Sequence, residues 1–236
     1  MNVIRFKAEG ILNSFRVPLF KTYHRTFLAP TKTNIIGMIT NIMGKSERWY
    51  YETLNKNRIK VSVVINNIEG KTKDLWAYKV YKDKNDGRSI IRRDRLYKAI
   101  YSIYLLIDSE ELFKEILIAL KFPKSIPSLG LDDELVKIYE IENKIQMSEN
   151  KSGHINSVFI DKEYSYNVII EDQDKFVEFP MANETPLSFK VEISDKGFRK
   201  SRQAMDNFKQ VEYLNCKIEL KNVISYTDGI NRMVFY

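Results

Sequence analysis

Between residues 15 and 27 the chain reads Phe15-Arg16-Val17-Pro18-Leu19-Phe20-Lys21-Thr22-Tyr23-His24-Arg25-Thr26-Phe27, a stretch in which rings and cations alternate without helical or strand period. Such a mixture suits RNA, because unstacked bases lie on aromatic or guanidinium planes while Lys and Arg meet phosphates. The candidate contacts are Phe15, Arg16, Lys21, Tyr23, His24 and Arg25; the competing reading is that half of the rings are simply core. His24 could also act as a general base in metal-free RNA cleavage with Tyr23 or Lys21 as partner, although one histidine beside a basic loop is more often a hydrogen-bonding side chain.

A second concentration of charge lies between Gly70 and Arg95, where nine Lys or Arg face four Asp. Trp76 to Tyr81 reads as a strand and Asn85-Asp86-Gly87 as a turn, so the composition fits a projecting basic hairpin. Trp76, Tyr78, Lys79, Arg88, Arg92 and Arg93 sit on or beside it.

Other chemistry lacks support. Gly44-Lys45-Ser46 resembles the end of a phosphate-binding loop, but Ile39 stands where that motif needs glycine. The sequence has no G-x-G-x-x-G, H-E-x-x-H or G-x-S-x-G. Asp132-Asp133, opening an element after a glycine, reads as structural. One cysteine, Cys216, excludes an internal disulfide, and with His24 and His154 far apart it leaves few ligands for zinc. No catalytic residue, metal or cofactor is expected. No apolar run approaches the ~18 residues that span a bilayer, and Met1 to Gly10 lacks a signal-peptide core, so a reducing, cytoplasmic setting without membrane contact is expected.

The elements that must carry these residues follow from periodicity. A chain of 236 residues with 44% hydrophobic residues can bury a substantial core. Val3 to Ala8 alternates as a strand covered on one face. Ile35, Ile36, Ile39 and Met43 repeat at helical spacing between a threonine cap and Gly44, and Ser46 opens a second helix through Leu54. Ile59 to Ile65 is a strand, Leu96 to Ile107 a central strand apolar on both faces, Ser109 caps a helix stopped by Pro123, and Leu135 to Ile141 is a further strand. This order matches a ferredoxin-like unit in an α+β protein. The polar loop 148–156 marks a boundary, giving residues 1–147 with the hairpin at 70–95 and a β-rich part at 148–236. Charge divides differently: residues 1–95 hold 20 Lys/Arg against 8 Asp/Glu, the remainder 18 against 23. A polyanion bound by the first part explains this asymmetry, because phosphate neutralisation releases counterions; a solvated cationic surface is the alternative.

Phe15-Arg16-Val17-Pro18, Thr26 to Ile39, and Glu47 through Leu54 together resemble the N-terminal signature of the CRISPR-associated protein 5 family. Ile126-Pro127-Ser128-Leu129-Gly130-Leu131-Asp132-Asp133 resembles its second signature, with Leu131 where many members carry arginine. The resemblance spans roughly the first 140 residues. It implies a RAMP-type fold: a ferredoxin-like, RRM-related domain with a thumb hairpin at 70–95, then a small β domain. It implies a subunit of a type I Cascade effector in antiviral defence, I-B-like, that caps the 5′ handle of the crRNA beside a backbone (protein 7-type) subunit and a large (protein 8-type) subunit and supports target DNA recognition. The handle surface would be the 15–27 stretch with Lys32, Thr33, Ser128, Leu129 and Gly130. Relatives of subtype I-C are endoribonucleases that process precursor crRNA, and that activity is the alternative.

Overall fold

The computed structural model describes residues 1–18, 20, 23–82, 85–151, 153–169, 181–194, 199–205, 209–213 and 217–236. Expectations placed on Lys21, Cys216 and the strand at 176–179 lie outside the described residues.

The chain opens with β1 (Val3–Asn13), α1 (Lys32–Met43), α2 (Glu47–Asn55), β2 (Ile59–Lys82), β3 (Asn85–Ile107), α3 (Glu110–Lys121) and β4 (Val136–Glu142). The four strands form one sheet in the order β2-β3-β1-β4 with every pairing antiparallel. Alternation decides which face is covered. Phe6 pairs with Ile103 and Ile4 with Leu105, while Val61 and Val63 oppose the same two β3 residues, so all six point to one side. There they meet Ile35, Ile36, Ile39 and Ile42 of α1 and Ile116 and Leu120 of α3 in a single core. On the reverse face Val3, Val64 and Tyr104 pack with Met233. Both faces of β3 are therefore covered, as its apolar sequence requires.

Local signals set the helix ends. Asn34 Oδ1 accepts from the Thr31 amide at 3.1 Å before α1, and Gly44 ends that helix at φ 62°, a left-handed cap. Ser46 and Ser109 accept from the Trp49 and Leu112 amides to open α2 and α3.

The second strand expected at 59–65 does not stop there. Beyond the pair Lys71–Leu96, β1 no longer flanks β3, and the two long strands continue as a ribbon from Thr72–Arg95 to Lys82–Asn85. Eleven residues per strand at about 3.4 Å each carry it ~35 Å past the sheet. The turn is not at Asn85-Asp86-Gly87. Those residues pair with Lys82, Tyr81 and Val80 and so belong to the ribbon's ladder.

Beyond residue 147 every described element is a strand: β5 (Ser148–Asn150), β6 (Gly153–Ile155), β7 (Phe159–Asp161), β8 (Tyr166–Ile169), β9 (Met181–Thr185), β10 (Phe189–Ile193), β11 (Arg199–Ala204), β12 (Lys209–Tyr213), β13 (Lys217–Leu220), β14 (Ser225–Thr227) and β15 (Arg232–Met233). They form small sheets, β10-β11, β7-β12-β9, β6-β13-β8 and β15-β14-β5. This part shares the first part's core. Val158, Phe159 and Phe189 are buried with the helices, and Val61 and Tyr236 exchange backbone hydrogen bonds at 3.0 and 3.1 Å. The architecture is α+β, mostly strand. Among the described residues no helix is long and apolar enough to cross a membrane.

Candidate nucleic-acid interface

Two surfaces gather the candidate residues, joined by a buried ionic cluster. The first is a ledge at the base of the ribbon. Residues 15–17 and 25–27 fold back on one another, with Val17 N donating to Arg25 O at 2.9 Å and Phe27 N to Phe15 O at 2.8 Å. The outer arm of this loop adds alongside β3: His24 N donates to Arg92 O at 2.9 Å and Asp94 N to His24 O at 2.8 Å. This backbone pairing places the 15–27 stretch against the hairpin, which periodicity could not reveal.

Side chains follow from that pairing. The Arg92 guanidinium lies 5.3 Å from the Tyr23 ring centroid, and Arg25 5.7 Å from that of Phe20. The His24 and Trp76 rings are 6.2 Å apart, and Trp76 is the same distance from Tyr78. Trp76 and Tyr78 are 39% and 40% exposed, so each keeps a usable ring surface. Lys79 and Arg88 are exposed and directly cross-strand, a cationic pair farther along the ribbon. The Tyr23 hydroxyl donates to Asp94 Oδ2, which raises its pKa, and partial burial adds to the effect. Burial and the nearby charges of Arg16 and Arg93 hold the His24 pKa below the ordinary imidazole range, so the ring is neutral at pH 7.

The second surface is a cleft of about 1070 Å³. Its lining joins Arg16 and Pro18, the α1 face at Thr33, Asn34 and Gly37, Tyr50 of α2, the turn at Ser128, Gly130 and Asp132, and Thr185, Phe189 and Arg202 from the C-terminal part. Four sequence candidates, Arg16, Thr33, Ser128 and Gly130, thus share one cavity although they come from three separate segments. Arg16 is exposed and its charge reaches His24, so it stands between cleft and ledge.

Glu134 connects the two surfaces, and sequence reading overlooked it in favour of the neighbouring acids. Its carboxylate is fully buried, accepts from the Ser14 amide and hydroxyl at 2.7 Å each and from the Leu131 amide at 3.1 Å. It lies 3.4 Å from Arg95 Nη2 and 3.8 Å from Arg93 Nη1. Asp74 on the facing strand accepts from Arg93 Nε and Nη2 at 3.1 and 2.9 Å. The ion cluster fixes the turn at 128–135 to the ribbon base. Gly130, at φ 117°, is required twice over: a Cβ there would overlap Glu134 Oε2 and lie 2.6 Å from Ser14 O. Glu134 stands four residues after Gly130 with no local mark of its role; only tertiary contact with two ribbon arginines identifies it. Asp132 and Asp133 are exposed turn residues and cap no helix.

Four candidates are used by the fold itself. Phe15 is fully buried and meets Tyr101 edge-on at 5.9 Å, and Leu129 is fully buried. Lys32, 2% exposed, sits in the first turn of α1, where its ammonium donates to Asn57 Oδ1 and to the Tyr236 carbonyl at 3.2 Å. Arg93, expected on an exposed ribbon face, is 5% exposed because Asp74 and Glu134 hold it beneath Trp76 at 5.3 Å. None of these four side chains presents a free surface to RNA. Among the described residues no three His, Cys, Asp or Glu side chains converge to hold a metal ion.

Comparison with known proteins places these features in context. A family model described as CRISPR-associated protein (Cas_Cas5) matches residues 3–207, extending well past the signatures in the first 140 residues. Among curated protein sequences none matches the chain. A crystal structure of a CRISPR protein from Archaeoglobus fulgidus superposes with TM-score 0.52 at 13% identity, covering 99% of this chain and 98% of that one. A chain of a CRISPR RNA-guided surveillance complex gives TM-score 0.49 at 14% identity, covering 94% and 91%. A Cas protein crystal structure gives TM-score 0.40 at 18% identity, and the chain aligns with 56% of itself to 58% of that protein.

Proposed function

Because the chain belongs to the Cas_Cas5 family of CRISPR-associated proteins, we propose that it is a non-catalytic RNA-gripping subunit of a type I Cascade effector, holding the 5′ handle of the crRNA. In this reading the β2-β3-β1-β4 sheet with its helices is the ferredoxin-like domain, and the projecting ribbon is the thumb. Residues 148–236 are the accompanying β domain. The partners are the crRNA, a protein 7-type backbone subunit and a protein 8-type large subunit, with target DNA engaged through the complex in the cytoplasm.

One observation carries the reading. Arg16, Thr33, Ser128 and Gly130, drawn from both signature regions, line one cleft, and Arg16 also lies near His24 in the ledge of rings and cations. A strand following that path finds phosphate partners in Arg16, Arg92, Lys79 and Arg88 and stacking surfaces in Tyr23, Trp76 and Tyr78, the combination that single-stranded RNA requires. The absence of catalysis is supported by how the ledge uses its titratable groups. The Tyr23 hydroxyl is committed to Asp94, and among the described residues the charges that act on His24, beside the Trp76 ring, are those of Arg16 and Arg93, with no carboxylate to orient it as a base.

The test is to incubate the purified chain with precursor RNA transcribed from a repeat of its own genome's array, with and without divalent metal. Bound, intact RNA is expected. Site-specific cleavage that disappears in His24→Ala would replace this reading with the endoribonuclease one.

A further inference from the structure

Charge counting assigns RNA contacts to the first 95 residues, because the remainder is net acidic. The fold changes that assignment. Strand β11 carries Arg199-Lys200-Ser201-Arg202-Gln203, all exposed, and pairs only with β10 among the described residues. Its register puts Ala204 opposite Phe189 and Arg202 opposite Val191, so Arg202 and Ala204 share the face that closes on the cleft.

The β10-β11 pair is firmly anchored. Asn55 of α2 binds the Phe189 backbone from both sides, its Nδ2 donating to the carbonyl at 2.8 Å and its Oδ1 accepting from the amide at 2.9 Å. The Phe189 ring packs edge-on against Tyr51 at 5.7 Å. Arg199 is occupied: Nη1 donates to the Tyr51 hydroxyl at 2.8 Å and lies 3.1 Å from Glu47 Oε1. Arg202 differs. Its guanidinium lies 5.0 Å from the Phe189 ring centroid, it remains exposed, and among the described residues no carboxylate pairs with it. Asp132 is the one acid among the described lining residues.

We propose that β11 is a second jaw of the cleft and that Arg202 contacts single-stranded RNA there, by phosphate pairing and by stacking of its guanidinium plane. The occupant follows from charge complementarity and continuity: Arg16 of the first part and Arg202 of the C-terminal part line one cavity, and Arg16 also lies near His24 of the aromatic ledge. The Arg202 guanidinium already lies over the Phe189 ring, and lysine has no guanidinium plane to stack on a base. The inference rests on the reading that this chain binds RNA, and it names a contact outside the family signatures.

The test uses the full chain and a fluorescein-labelled 20-nucleotide single-stranded RNA of mixed sequence. Arg202→Met keeps an unbranched stem over Phe189 without charge; Arg202→Lys keeps charge without the plane. Arg202→Met is expected to weaken binding about tenfold and to make the log-log salt slope shallower by about 0.7, one phosphate contact, with Arg202→Lys intermediate. Ultraviolet crosslinking of the wild type to 4-thiouridine RNA, read by mass spectrometry, is expected to label residues 199–205, and needs no variant to fold. Salt-dependent binding by the wild type, with Arg202→Met unchanged and no crosslink at β11, overturns this inference alone. Salt-independent binding by the wild type overturns the RNA reading itself.

Discussion

Glu134 Oε1 lies 3.8 Å from Arg93 Nη1, with the Glu134 side chain fully buried and that of Arg93 only 6% exposed. The pair joins the cleft turn to the ribbon base, so the two halves of the interface are held in one geometry. Desolvating these charges is costly; Ser14, Asp74 and Arg95 offset part of that cost, while Arg93 Nη1 and Arg95 Nε make no hydrogen bond among the described residues.

Glu134→Ala leaves two arginines without their buried partner and is expected to destabilise the protein by ~3–5 kcal/mol, measured by urea unfolding. Glu134→Gln keeps the shape and the bond from the Ser14 amide, and should cost less. Gly130→Ala should be comparably severe, since the backbone conformation and the space both exclude a side chain.

Arg92 and Arg93 are neighbours with opposite roles. Arg92→Ala should weaken binding to guide RNA by about 1–3 kcal/mol with little change in stability, because its guanidinium is exposed over Tyr23. Arg93→Ala should lower stability instead, because it removes one of the two cations that face Asp74 and the buried Glu134, leaving only Arg95 to pair with both. Equal effects of the two variants on RNA binding at unchanged melting temperature would contradict the burial of Arg93.

Part of this arrangement is legible in the sequence. Helix caps at Ser46 and Ser109, the glycine stop at Gly44 and the period-2 pattern of Val3 to Ala8 are local signals, and each element formed where the pattern put it. The ribbon's length was harder to read, because residues 66–75 are too polar to resemble a strand; two-stranded pairing satisfies their backbone without needing apolar faces. Burial of Phe15, Lys32, Leu129 and Arg93 depends on contacts with residues far away in the chain, such as Tyr101, Tyr236 and Glu134, and a pattern read along one segment cannot supply those. Nor could it show Arg202, whose ring neighbour Phe189 is held by Asn55 of α2.

Shortening the ribbon tests whether it extends beyond what the core needs. The register makes Lys79–Arg88 a direct pair, so replacing residues 80–87 with Asn-Gly preserves the ladder up to that pair. The variant should melt within a few degrees of the wild type, since the ribbon's buried contacts, Ile91 and Arg93, lie nearer the sheet. Assembly with guide RNA and partner subunits should weaken. Collapse of the fold would place the ribbon tip in the core.

Acid stability should depend on Asp228, whose side chain is 1% exposed. Burial alone would raise its pKa, but the amides of Asn231 and Ile230, the Tyr104 hydroxyl and Arg5 outweigh burial and hold it below the ordinary carboxylate value. A carboxyl whose pKa is depressed by folding contributes stability above its unfolded pKa of about 3.9, and that contribution is lost as pH falls through the lower folded value. Urea unfolding of wild type and Asp228→Asn should therefore differ most at pH 5 and above, and converge as the pH falls below about 4. A difference that grows with acidification would contradict this arrangement.

The most direct test of the central claim is the affinity of the wild-type chain for guide RNA carrying its 5′ handle, titrated from low to physiological salt. If Arg16, Lys79, Arg88 and Arg92 meet phosphates, log K against log salt should fall with a slope of about −0.7 per contact, close to −3 for the four. A nearly flat line would mean that the cations of the cleft and ledge do not hold a polyanion, and would contradict the account.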